Sequence, residues 1–450
     1  MQRRDFLQGS VQAAALGTLA TVADAAARVA DAPLRVALVG CGWYGKTDLF
    51  HLMQVTPVEV VGLCDVDTTM REAAAELVAG RQPSGKKPPL YGDYRQLLAE
   101  TKPQIVLVAT PDHWHCLPMI AACRAGCDVY VQKPISFDVV EGRAMVAAAR
   151  KYGRTVQVGL QRRSTPHLLE ARDRYIATGK LGKIAAVDIH SYYGSRSAFP
   201  PAAPPPANLD WEMYCGPAPL IDFHPQLHPR AWRDCIEFSN GQTGDLCVHF
   251  YDLVRYFLGL SWPQRIAASG GALLRPADST IRLHDTQTAL FDHGAVQVVW
   301  TQRNWGENPD PAYPWGATLY GDKGTLKLSV QSYDFQPKGG GPTEHGTFLD
   351  EREQYPQDVA HKETEPFAAA ATRRHMQDFL AARAAGRKPV ADIAEGHVSS
   401  AVCILANLAM RLGRSLTLDA EGQIVGDPEA DALLARPYRA PWQHPTPESV

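Results

Sequence analysis

The chain is 450 residues long, with 45% apolar and 21% charged residues and a formal net charge of −3. That length exceeds one ordinary domain, and the composition is globular rather than disordered or fibrous. The near-neutral charge argues against a nucleic-acid surface, which would need a basic excess.

The chain opens Met1-Gln-Arg3-Arg4-Asp5-Phe6-Leu7, a twin-arginine export pattern, and continues into a mildly apolar, Ala-rich stretch over residues 11–27. Small residues at Ala23-Asp-Ala25 and Ala30-Asp-Ala32 offer cleavage sites, so residues 1–32 are expected to be a signal peptide. The stretch is too interrupted for a membrane span, which needs about 20 strongly apolar residues, and no other segment is expected to reach that length. This pattern predicts delivery to the periplasm by the twin-arginine translocase, a route that carries folded proteins.

Over residues 33–158, short β-branched runs alternate with amphipathic stretches. Strands are predicted at 35–39, 58–64, 105–109, 128–131 and 155–158, and helices at 44–54, 68–77, 94–99, 114–125 and 139–151. Such alternation predicts an α/β domain built on a doubly wound parallel sheet. Beyond Gly159 the rhythm changes. A helix at 165–178, a strand at 184–193, a Pro-rich loop at 199–207 and a helix at 246–258 come first. Strands follow at 264–270, 286–291, 295–301, 318–320 and 325–330, with Gly321-Asp-Lys-Gly324 as a hairpin turn. Gly339-Gly-Gly341 opens an expected flexible loop, and two Ala-rich helices are predicted at 366–385 and 393–412. Residues 159–415 are therefore expected to form an α+β domain with a large, mostly antiparallel open sheet, and 416–450 a Pro-rich tail. The nine cysteines lie mostly in apolar runs and include no Cys-x-x-Cys pair, which signals packing rather than a zinc ribbon or redox site. Cys123 and Cys127 in particular read as packing residues on a helix.

The most telling string is Gly40-x-Gly42-Trp43-Tyr44-Gly45, which follows a predicted strand and opens a predicted helix. Gly40 allows the tight turn, Gly42 lets the backbone approach a pyrophosphate, and Gly45 lets helix and strand pack closely. Asp65 ends the second strand, where an acid accepts both ribose hydroxyls and repels a 2′-phosphate. NAD is therefore expected over NADP, and Asp67 adds to the acidic bias. Thr110, Pro111, His113 and His115 follow the third long strand, and Gln132-Lys133-Pro134 the next, both at the edge of the sheet that faces ligand. Pro134 biases Lys133 towards an extended conformation.

With Thr110-Pro111, Lys133-Pro134 and the later Asp245-x-x-x-His249-x-x-Asp252, the glycine string resembles the glucose–fructose oxidoreductase / inositol dehydrogenase / rhizopine-catabolism (Gfo/Idh/MocA) family. The likeness runs over residues 35–260 and more weakly to 412, and residues 109–134 are most similar to the twin-arginine-exported branch. It implies Lys133, Asp245 and His249 as the catalytic group. Asp245 and His249 are four apart and share a face if helical, where a carboxylate orients an imidazole and stabilises its protonated form. His249 would then take a proton from a substrate hydroxyl while Lys133 hydrogen-bonds the same oxygen. Two departures stand out: Gln132 replaces the family's usual glutamate, which leaves the lysine without that acidic neighbour, and Cys247 replaces a glycine.

Gln161, Arg162 and Arg163 follow the last strand of the sheet, where Gln161 is expected at the cofactor and Arg163 at substrate. His224, His228, Trp232 and Arg233 form a polar and aromatic cluster, of which Trp232 and Arg233 suit a sugar face. His51, His113 and His115 have no carboxylate at ligand spacing, so no metal is expected. The sequence thus predicts a periplasmic oxidoreductase acting on a sugar or cyclitol hydroxyl with a non-dissociable NAD. The alternative is a redox-neutral glycoside hydrolase or lyase that works through a transient keto-sugar. The resemblance further implies a homo-oligomer.

Overall fold

The computed structural model describes residues 32–194, 198–277, 279–303, 305–360 and 365–450. Apart from its last residue, the predicted signal peptide lies outside the described residues.

The first lobe carries a six-stranded sheet of order β3-β2-β1-β4-β5-β6, every pairing parallel. Its strands are β1 (Leu34–Val39), β2 (Val58–Cys64), β3 (Leu90–Tyr91), β4 (Ile105–Val108), β5 (Asp128–Val131) and β6 (Val156–Val158). Between them run α1 (Trp43–Val55), α2 (Thr68–Ala79), α3 (Tyr94–Thr101), α4 (Cys116–Arg124) and α5 (Val139–Lys151). The central strands bury both faces, as a sheet covered by helices on each side requires. Helix starts are set by side-chain caps: Asp67 on α2, Asp93 on α3 and Asp138 on α5 each accept backbone N–H bonds. Helix α1 has Gly42 at its N-cap and no side-chain cap or acid in its first turn. Its leading N–H groups have no side-chain acceptor.

After α6 (Pro166–Ala171) and a wider helical turn, Arg172–Ile176, the second lobe is organised on a nine-stranded sheet. Its strands are β7 (Ile184–Ser191), β8 (Arg265–Gly271), β9 (Thr286–Asp292), β10 (Gln297–Arg303), β11 (Trp315–Gly321), β12 (Gly324–Ser329), β13 (Ser332–Pro337), β14 (Glu344–Thr347) and β15 (Leu416–Thr417). All neighbours are antiparallel except β7 and β10, which run parallel at the middle of the sheet. Helix α7 (Val248–Leu258) continues from a wide turn, Thr243–Cys247, and is buried along most of its length.

Four expectations for the later chain are corrected. The glycines at 339–341 form the turn of a hairpin joining β13 to β14 rather than a flexible loop. Helix α8 (Pro366–Ala385) completes the first lobe: Met376 and Phe379 share a core with Leu38, Leu107 and Tyr130. The tail is also structured. Leu416 and Thr417 pair with β8, and the rest folds back across the first lobe. There the Leu434 carbonyl accepts from Val139 and Val140 at 3.1 and 3.3 Å, Tyr438 donates to Glu141 at 2.6 Å, and Trp442 meets Trp114 edge-on. Helix α9 (Ile393–Leu412) is long and apolar enough to cross a membrane, contrary to expectation. It is instead packed in protein, where Val402, Cys403 and Leu405 join a core shared by both lobes.

Candidate active site

A cleft of about 690 Å³ opens where the C-terminal ends of the parallel strands face the second lobe. One end is built mainly from backbone. Gly40 has φ +95°, and a Cβ there would lie 2.6 Å from the Ala109 carbonyl. A Cβ on Gly45 would lie 2.0 Å from the Gly40 oxygen, so that glycine lets α1 pack on its strand. Gly42 differs: a Cβ would meet only Met70, at 3.9 Å, so here the missing side chain opens the cleft itself. Asp65 lies beside this turn, its Oδ2 accepting from Cys41 N–H at 2.7 Å and its Oδ1 from Asp67 N–H at 2.9 Å. These bonds fix the carboxyl, burial pushes its pKa up, and both oxygens keep lone pairs for a further donor. Trp43 Nε1 and Thr110 Oγ1 are buried here without hydrogen-bond partners. An uncapped helix N-terminus, a glycine opening, an anchored acid and two orphaned polar atoms fit a dinucleotide.

The other end is made of charged side chains. The Lys133 ammonium donates to Asp245 Oδ1 at 2.5 Å and to the Asp245 carbonyl at 2.9 Å. Arg233 Nε lies 3.4 Å from Asp245 Oδ2. Burial alone would raise the Asp245 pKa, but Lys133 and Arg233 hold its carboxyl well below the usual carboxylate range. It is therefore ionised at neutral pH. His249 is buried edge-on against Trp315, with Nδ1 lacking a partner. Burial, then the nearby Lys133 and Arg162 cations, push its pKa well below the ordinary imidazole value, and Asp245 opposes them only in part. The imidazole is neutral and able to accept a proton.

Asp245 thus pairs with Lys133 rather than with His249, which corrects the expected carboxylate–imidazole pair. The Gln132 departure is also accounted for. Gln132 turns to α1 and donates to Asp48 at 2.7 Å, where burial holds the Asp48 carboxyl up at about 8. The counter-charge of the lysine comes from the second lobe instead. His115 ties the two strand-end loops together, with Nδ1 2.6 Å from the Pro134 carbonyl and Nε2 2.8 Å from that of Thr110.

Among the predicted cofactor residues, Gly40, Gly42, Trp43, Tyr44, Asp65, Thr110, Pro111, His115 and Lys133 line the cleft. Gly45 packs behind the turn. Gln161 is one layer out, donating to the Tyr44 hydroxyl. Asp67 caps α2 and is bonded to Asn208 and His228, so its carboxyl is not a second ribose acid. Among the predicted substrate residues, Trp232, Arg233 and His249 line the cleft, and Arg163 does not. Arg163 is 4% exposed and makes two 2.8 Å bonds to Asp252, because the tight turn over Gln161–Ser164 points it into the protein. Its neighbour Arg162 faces the cleft, with Nε and Nη1 unpartnered.

Sequence reasoning also missed Asp112, Tyr214, Arg230 and Glu365 as cleft residues. Asp112 was visible beside Thr110-Pro111. Burial and then Asp245 push its carboxyl up to about 7, and its Oδ2 has no partner. Glu365 gave no local signal, since it reaches the cleft from just before α8, far along the chain.

A glycine-turn nucleotide lobe whose strand ends present a lysine, set against an aspartate and a histidine from a second α/β lobe, defines a dinucleotide-dependent oxidoreductase architecture. The chain belongs to the Gfo/Idh/MocA oxidoreductase family: residues 34–160 match "Oxidoreductase family, NAD-binding Rossmann fold" and residues 174–418 match "Oxidoreductase family, C-terminal alpha/beta domain". The uncharacterized oxidoreductase YrbE of Bacillus subtilis is 24% identical over 268 residues, 59% of this chain and 66% of the relative. The D-glucoside 3-dehydrogenase of Escherichia coli is 27% identical over 155 residues, 34% of this chain and 42% of the relative. The chain therefore spans less than two-thirds of the length of these curated relatives. An oxidoreductase from Agrobacterium radiobacter, solved with NAD+, L-tartaric acid and magnesium, superposes with a TM-score of 0.63 at 16% identity. That match covers 86% of this chain and 98% of the other, and it shows a common fold.

Proposed function

We propose that the protein transfers hydride between a sugar or cyclitol hydroxyl (or the matching carbonyl) and an NAD that stays bound between turnovers. The observation that carries this reading is the meeting of Lys133, Asp245 and His249 in one cleft with the glycine turn and Asp65. When bound, the nicotinamide supplies the hydride acceptor or donor. Asp245 holds the Lys133 ammonium in place by two of its three N–H groups, and the remaining one donates to the substrate oxygen. His249, neutral and lining the cleft, takes the hydroxyl proton as hydride leaves the same carbon. A positioned base of this kind is worth roughly 10²–10⁴ in rate. Asp65 favours NAD, since a 2′-phosphate would sit against its carboxyl.

Arg3-Arg4 and the Ala-rich stretch after them support export by the twin-arginine translocase to the periplasm, in the twin-arginine-exported branch of the family. That compartment offers no pool of free nicotinamide cofactor, which is why the group is read as resident. The outer face of the nine-stranded sheet, where Tyr320 is exposed and Leu290 and Val299 are half-buried, is the surface proposed to pair with a second copy. Mass spectrometry of small molecules released on denaturing the purified protein tests the cofactor. One NAD per chain is expected, and an empty protein indifferent to added dinucleotide overturns the reading. On adding sugars or cyclitols, a lasting reduced-nicotinamide absorbance is expected; a released aglycone without it marks the redox-neutral chemistry instead.

A further inference from the structure

We propose that residues 208–230 of the second lobe form a clasp that retains the dinucleotide, with Arg230 supplying a cation to its pyrophosphate. The proposal rests on the reading of a resident cofactor and names the residues that would keep it resident.

The clasp is joined to the nucleotide lobe through backbone. Thr68 N–H donates to the Asn208 carbonyl at 2.9 Å and Asp210 N–H to the Val66 carbonyl at 3.1 Å, so Leu209 lies as a short antiparallel bridge against Asp67. Side chains then close the same junction. The Asp67 carboxylate accepts from two N–H groups of α2, from Asn208 Nδ2 at 2.8 Å and from His228 Nε2 at 2.8 Å. Asp67 N–H in turn donates to Asp65 Oδ1. A continuous set of hydrogen bonds therefore runs from the proposed ribose acid to a loop of the other lobe.

Arg230 lies two residues beyond His228, its guanidinium 4.8 Å from the Trp43 ring centre, and it lines the cleft with His228 and Pro229. Among the described residues no carboxylate lies within ion-pair distance of it. It stands instead by the first residue of α1, whose leading turn carries no acid and no side-chain cap. An uncapped helix N-terminus and a guanidinium set over the Trp43 ring, with no carboxylate partner among the described residues, border one cleft and describe a place for an anion. The glycine turn supplies neutral backbone donors, and the clasp adds the charge they lack. Because Asp65, Val66 and Met70 face His228, Pro229 and Arg230 across one cleft, the nucleotide end has a wall from each lobe. A dinucleotide held between them leaves only when the clasp contacts break.

The test is the NAD dissociation rate of the purified holoprotein, followed by chasing released cofactor into a scavenging dehydrogenase. Arg230→Ala, at an exposed position, is expected to release NAD about 10- to 100-fold faster, the equivalent of one charge-assisted hydrogen bond. Arg230→Lys should recover part of that retention. His228→Gln, which leaves Arg230 in place, should speed release by loosening the loop. Wild-type protein that holds NAD while all three variants release it at the wild-type rate overturns the clasp alone. Wild-type protein that neither carries nor binds NAD overturns the underlying reading with it.

Discussion

The two ends of the cleft are made differently. At the nucleotide end, three glycines, an uncapped helix and an acid held by two backbone N–H groups act through main-chain shape, and most of them are close in sequence. At the charged end, Lys133 from one lobe meets Asp245 and Arg233 from the other, with Arg162 and His249 beside them. Shape fixes where a cofactor lies, while mutual charge fixes which groups are protonated. Substitutions should therefore fail in distinct ways at the two ends.

The largest expected effect separates chemistry from binding. Lys133→Ala should cut turnover by about 10²–10⁴-fold while NAD stays in the protein, measured as kcat against cofactor content. Unchanged turnover would show that the charged end has been misassigned. Next comes the contrast between adjacent arginines. Arg163→Ala removes the bidentate partner of the buried Asp252 carboxylate, leaving it Ser399 and the more distant Arg255, and should cost about 3 kcal/mol of stability by denaturant unfolding. Arg162→Ala should instead change KM and kcat with little loss of stability. At the glycine end, Gly45→Ala forces a Cβ against the Gly40 carbonyl and should cost about 1–3 kcal/mol along with NAD retention. A variant that keeps both would break the view that this end works by shape.

Two smaller effects depend on pH. Burial and the Lys133 and Arg162 cations hold the His249 pKa well below its ordinary 6.5, so the acid limb of kcat/KM should fall below that pH. Removing a cation raises an imidazole pKa, so Arg162→Ala should move the limb upward. The tail strap gives the second. Burial and then Asp138 push Glu141 up to about 7 from 4.5, and Asp138 and Glu141 raise His444 against its burial. Both groups bind more protons folded than unfolded, so their contribution is full below pH 4.5 and is lost as pH rises through 7 and above. Hydrogen exchange should show residues 436–450 better protected at pH 5.5 than at pH 8.

The sequence was most informative where physics is local. The strand limits of β2 and β5 and the helix limits of α5, α8 and α9 follow from hydrophobic period, cap residues and flanking breakers. Two-residue β3 is too short to carry a pattern, and β13, Ser332-Tyr-Asp-Phe-Gln-Pro337, hides its alternation beside a glycine turn. The same limit governs the site. Lys133, Asp65 and the glycines are placed by the strands they follow. The side on which Arg162 and Arg163 emerge is set by a four-residue turn that gives no periodic signal. Glu365 and Arg230 come from distant segments, which only tertiary folding brings together.

The order in which the nucleotide lobe acquires its parts has a consequence for biogenesis. Its sheet is laid down early by β1 to β6, but Met376 and Phe379 of α8 cover one face and Leu434 and Trp442 dock on α5 and Trp114. A ribosome must therefore release residues well past 430 before that lobe is whole, and until then its apolar surface is a substrate for chaperones. The nucleotide lobe is thus assembled from both early and late stretches of the chain, so its completion waits on segments made long after its last strand, Val156–Val158.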